Sequence, residues 1–170
     1  DDWKKWWETA RHEMKKDGHF VVPAKKTEPI VYQVQETSLQ DRLLADFRAA
    51  KGLKARLAVA SEVARSAVDL GNKETTAKEV IAGLNADIPS HCRTQTAVAL
   101  EAIFVREDLV AAAGLAPTAG ELTAEQVWNQ EGVKFGAVME AMPAAKHRRT
   151  LESFKAAQPD KWSDILRGAL

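Results

Sequence analysis

The chain has 170 residues, of which 45% are hydrophobic and 28% charged, with one cysteine and 24 basic side chains balanced by 24 acidic ones. That composition is globular rather than disordered, excludes an internal disulfide, and contains no apolar run near the roughly 18 residues of a membrane span. Zero net charge leaves any attraction for nucleic acid to local patches, and a single thiol, Cys92, fits a reducing, cytoplasmic compartment.

The first 34 residues concentrate the signal, holding three of the five tryptophans and seven basic residues against six acidic ones. Residues 3–16 read as a helix, because Trp3, Trp6, Trp7, Ala10 and Met14 project within roughly 100° of one another at 3.6 residues per turn. Asp2 caps it and Asp17-Gly18 stops it. Phe20–Val22 and Ile30–Val34 follow as two short β-segments, rich in β-branched and aromatic residues and separated by Pro23 and Pro29. An indole needs a pocket or a partner for its ring and N–H. The tryptophan stripe is therefore expected to pack as a seam against the ribbon or the next helices, with base stacking or partner capture as the alternatives.

After Val34 alanine and leucine dominate, and strand-like alternation disappears. Ser38 starts a helix with Leu39, Leu43, Leu44 and Phe47 on one face, and Gly52 separates it from a second helix over 53–70. A third is predicted over 73–84 and a fourth from Pro89, suited to a first helical turn, to Ala113. Gly114 ends it, residues 114–122 form the main loop, and Thr123-Ala124-Glu125-Gln126 opens the next helix. Short helices over 124–130, 133–141, 144–157 and 160–169 complete the chain, with Trp128 and Trp162 as core or inter-helix anchors. The expected fold is mainly α: antiparallel helix pairs stacked into a superhelical array of the HEAT or TPR kind, over 36–170. A small cap of one helix and a two-stranded ribbon, 1–35, precedes it. Ile88-Pro89 with Arg93 and Met142-Pro143 with Arg148 suggest a weak internal echo.

Enzyme signals are thin. His91-Cys92 is the one His/Cys pair, and adjacent residues at a helix start diverge by about 100°, which does not converge on a zinc ion or a nucleophile–base couple. No phosphate loop, zinc helix or paired-carboxylate motif is present, so no catalytic residue, cofactor or metal is assigned. An unrecognised hydrolase is the remote alternative. Binding residues come instead from the basic flank. Lys4, Arg11 and Lys15 fall within about 40° of one another beside the tryptophan stripe, and Lys25 and Lys26 extend that patch if the ribbon folds back beside the helix. Such a flank reads as a solvated face, an acidic-protein contact or a phosphate contact. Lys146-His147-Arg148-Arg149 forms a second basic cluster, more simply a helix surface.

The opening order Trp3-Lys4-Lys5-Trp6-Trp7, Ala10-Arg11, Lys15-Lys16-Asp17, Phe20-Val21-Val22-Pro23, Lys25-Lys26 and Glu28-Pro29-Ile30 resembles the amino-terminal accessory region of long Gre-type bacterial transcription elongation factors. The later helices, ending in Pro159, Trp162 and Leu166, are similar in architecture. Gre factors use an acidic-tipped coiled coil and an FKBP-like domain for transcript cleavage, and this chain shows neither, so cleavage is not carried over. The resemblance implies a non-catalytic interaction or scaffold module that binds a protein partner such as RNA polymerase. The basic flank supports nucleic-acid binding as the alternative. The chain opens at Asp1 rather than Met, and a fragment of a longer protein is expected.

Overall fold

The structure is a computed structural model in which residues 2–23, 25, 27–33 and 38–169 are described. Lys26, Val34 and the expected boundary at residue 35 lie outside the described residues. The fold is mainly helical: nine α-helices among the described residues, two 3₁₀ turns and one two-stranded antiparallel ribbon.

The cap is helix α1 (Asp2–Lys16) followed by strands β1 (Phe20–Val21) and β2 (Val31–Tyr32). Phe20 faces Tyr32 and Val21 faces Val31 across the ribbon. Asp17 turns the chain out of α1, because its carboxylate accepts the His19 backbone N–H at 2.9 Å. The ribbon packs against α1 mainly through β1.

Helices α2 (Leu39–Ala49), α3 (Leu53–Arg65), α4 (Lys73–His91) and α5 (Thr96–Ala113) carry most of the core. Ser38 caps α2 by accepting the Asp41 N–H, and Gly52 takes a φ of 83° at the turn into α3, a conformation side-chain-bearing residues rarely adopt. The second helix ends at Arg65, with a 3₁₀ turn over Ala67–Asp69. Helix α5 buries most of its circumference against α3, α4 and the later helices, with Ala99, Leu100, Ala102 and Ile103 fully buried. Gly114, at φ 67°, closes it.

Pro89 does not open a helix as expected. It lies in the last turn of α4, which runs to His91, and α5 starts only at Thr96. A proline there removes one N–H and costs up to about 3 kcal/mol in a helix interior. Leu84 and Ile88, both fully buried, each return about 1.5–3 kcal/mol by their burial, so packing decides where the helix ends. Pro143, by contrast, precedes a 3₁₀ turn over Ala144–Lys146, so the two Pro segments are not structurally equivalent.

Four shorter helices finish the chain: α6 (Ala124–Trp128), α7 (Phe135–Ala141), α8 (His147–Ala157) and α9 (Trp162–Ala169). Thr123 and Gln126 form a reciprocal capping box at the start of α6. Trp128, Phe135 and Phe154 meet in one aromatic cluster, where the Trp128 indole N–H donates to Ser153 Oγ at 2.9 Å. Trp162 packs partly against the core with Lys155 Nζ 4.4 Å from its ring centre. Both behave as the anchors the sequence suggested.

Candidate nucleic-acid interface

Helix α1 carries five basic side chains against three acidic ones and buries no residue. The expectation that its tryptophans form a packed seam is overturned for Trp3 and Trp6. Trp3 is 68% exposed and Trp6 58%, while Trp7, Ala10, Arg11 and Met14 are half-buried. The cause is a shortage of apolar partner surface. Each strand behind α1 is only two residues long, so the ribbon can shelter one side of the helix and no more. The indoles cover one another instead. Ring centres of Trp3 and Trp6 are 4.9 Å apart at 27°, and those of Trp3 and Trp7 are 6.1 Å apart at 10°. Such pairs contribute about 0.5–1.5 kcal/mol each beyond area burial, which steadies the cluster without removing it from water.

The basic flank is divided by the fold. Lys4 and Lys5 are exposed, and their side-chain ammonium groups form no ion pair or hydrogen bond among the described residues. Lys15 is exposed, and its charge acts on the Asp46 carboxylate of α2. Arg11 is not available in the same way: half-buried, it donates from Nη2 to the Pro23 carbonyl at 3.2 Å and pins the ribbon to the helix. Lys25 is exposed beside Glu28, 3.6 Å away, and Lys26 lies outside the described residues. The structure thus brings Lys4 and Lys15 onto the open helix with Lys5, and assigns Arg11 to holding the cap together.

Arg42 on α2 joins the cap to the helical array by donating to the Phe20 carbonyl at 3.4 Å. On the ribbon's outer side, His19 stacks on Tyr32 with ring centres 5.6 Å apart, and its Nδ1 lies 3.0 Å from the Asp17 carboxylate. Hydrogen bonds from the His19 backbone and ring hold the Asp17 carboxyl below its usual range. Tyr32 is 63% exposed. Of seven large hydrophobic side chains exposed among the described residues, five lie in the cap: Trp3, Trp6, Val21, Val31 and Tyr32. Sequence periodicity put the indoles on one stripe but could not show that the ribbon is too short to cover them.

The other sequence candidates are absorbed by structure. Arg149 donates from Nη1 to Asp108 at 2.6 Å and from Nη2 to Glu107 at 2.7 Å, over the Phe104 ring, and so clamps α8 to α5. Arg148 pairs with Glu152 at 2.9 Å, and His147 Nε2 lies 2.8 Å from the Met142 carbonyl. Cys92 is buried, its thiol directed at the Pro89 carbonyl at 3.0 Å, while His91 Nδ1 sits 2.8 Å from the Asp87 carbonyl. Among the described residues no group of three or more His, Cys, Asp or Glu side chains converges as metal ligands, and no helix is long and apolar enough to cross a membrane.

Residues 1–37 match the family model of the GRAD helix-turn-helix domain. The match covers the cap and stops before α2 at Leu39, so the helix-turn-helix likeness belongs to that segment alone. Within the GRAD-like segment the described residues form one helix and the ribbon, and α2 supplies the next helix just beyond it. No curated protein and no solved structure matches the chain.

Proposed function

We propose that the cap is a nucleic-acid-contacting element, carried on a non-catalytic helical scaffold that works in transcription in the cytoplasm. The observation that carries this reading is the helix-turn-helix match over residues 1–37. It falls on the same segment whose helix keeps Lys4 and Lys5 free of ion pairs among the described residues. Lys4, Lys5 and Lys15 meet phosphates, while Arg11 and Arg42 hold the helix, ribbon and α2 in register.

Contacts of that kind release counterions, so three of them give a slope of roughly −2.7 in log affinity against log salt, about a 40-fold loss between about 50 and 200 mM. Fluorescence anisotropy with a labelled DNA duplex measures it directly. The triple variant K4E/K5E/K15E is expected to lose most of the binding and most of the slope. Duplex binding that is insensitive both to salt and to this variant contradicts the proposal.

A second reading is favoured by the concentration of exposed apolar side chains in the cap. Here the cap docks on a protein such as RNA polymerase, as the Gre-type resemblance implies, and binding persists at high salt because apolar contact is not screened.

A further inference from the structure

The lysines account for phosphate attraction but not for the indoles. Trp3 and Trp6 lie on the first two turns of α1, 68% and 58% exposed although their rings stack on one another, and neither serves the core. Their planes are within 27° of parallel, with Lys4 and Lys5 between them in the sequence. An open aromatic face beside an unpaired ammonium group offers a base a stacking surface and its backbone a counter-charge. The rings stand on a convex helix rather than inside a groove, so what they present to a partner is a flat face. Bases within a duplex are already stacked above and below, so an indole reaches a base face only where the strand is unpaired.

We propose that Trp3 and Trp6 form a stacking platform for unpaired bases, and that the cap's ligand is a single-stranded stretch of nucleic acid. This inference rests on the nucleic-acid reading of the cap and names the form of nucleic acid it takes. Lys4 and Lys5 face the phosphates of the stacked nucleotides, and Tyr32 offers a further exposed ring on the ribbon. Arg11 and Arg42 do not touch the ligand; they position α1 by holding the ribbon's carbonyls.

The test compares a labelled single-stranded oligothymidine of about 12 nucleotides with a duplex of equal length, on the full chain. The variant W3A/W6A is expected to bind the single strand about 10- to 100-fold more weakly while duplex binding changes by less than about threefold. W3F/W6F, which keeps two aromatic faces, is expected to stay within about fivefold of the unaltered chain on the single strand. An unchanged thermal midpoint in W3A/W6A separates lost binding from lost folding, and its two sites bury nothing whose removal would open a core cavity. Unchanged single-strand binding in W3A/W6A, or equal losses on both probes, overturns the inference and leaves the proposed function standing. Binding of neither probe by the unaltered chain removes the nucleic-acid reading as a whole and leaves the rings to a protein partner.

Discussion

Arg106 is a charge in the centre of the core. It is 2% exposed, and it is the largest of the fully buried side chains. Nη1 donates to Asn85 Oδ1 and Nη2 to the Leu122 carbonyl, each at 2.8 Å. Nε lies 3.4 Å from the Glu121 carboxylate but makes no hydrogen bond there, so the charge pair works by proximity rather than alignment. Burial pulls the guanidinium below its ordinary range, and the charges of Glu121 and Glu107 oppose that pull. The arrangement ties the loop after α5 back onto α4 and α5. Removing one partner of a buried pair strands the other, at about 3–5 kcal/mol. Arg106→Ala is expected to lower the unfolding free energy by that amount, read as a lower urea midpoint, and Arg106→Lys to recover only part, since one ammonium cannot reproduce the planar fork. An unchanged midpoint would show that Arg106 does not hold the loop. Its burial was not legible from the sequence: Glu107 and Asp108, the next two residues of α5, reach solvent, and only the packing of α4 and the following loop against this helix turns Arg106 inward. Exposed pairs act more weakly. Arg48 meets Glu79 through two bonds of 2.6 and 2.8 Å, and this holds the Glu79 carboxyl below its usual range. A depressed carboxyl contributes stability that is present above its unfolded pKa and lost as pH falls through the folded value. Glu79→Gln is therefore expected to flatten slightly the loss of stability below about pH 5, by a small amount because the pair is solvated. A steeper acid loss in that variant would reverse the sign.

Helix contacts set which small residues the elements tolerate. Gly83 in α4 faces Phe47 of α2, and a Cβ built there would lie 2.6 Å from Phe47 Cε1 and 2.7 Å from Cζ. Helix propensity alone favours alanine over glycine by about 1 kcal/mol. Overpacking a buried ring costs about 1–3 kcal/mol, so the close approach outweighs propensity. Gly83→Ala is expected to destabilise the chain by up to about 2 kcal/mol in urea unfolding. A gain in stability would mean that Phe47 moves aside freely. Helix existence was legible from 3.6-residue spacing and from glycine and capping signals, as at Ser38, Gly114 and Thr123. The end of α4 was not, because proline chemistry alone favours a helix start at Pro89, whereas the burial of Ile88 carries the helix past it. The same limit applies to the cap. The sequence placed Trp3, Trp6 and Trp7 on one stripe correctly, yet how much surface waits opposite a stripe is a tertiary property. Two-residue strands supply too little. Of the residues expected to contact a partner, Lys4 and Lys15 are exposed on α1, whereas Arg11 is committed to Pro23.

Across the molecule, the buried hydrophobic residues run from Leu43 to Phe154, and none lies in the cap among the described residues. Stability and contact are therefore divided: the helical array supplies the core, and the cap supplies exposed rings and lysines held on by Arg11 and Arg42. Local stability follows buried apolar contact. Amides of α5 are expected to exchange slowest and those of α1 fastest when the full chain is followed by hydrogen exchange. Adding single-stranded DNA at low salt to the same experiment tests the central claim that the cap is the nucleic-acid interface. The account predicts new protection in α1 and the ribbon, with α4, α5 and α8 unchanged. Protection confined to the helical array, with α1 exchanging as it does in the free chain, would contradict it.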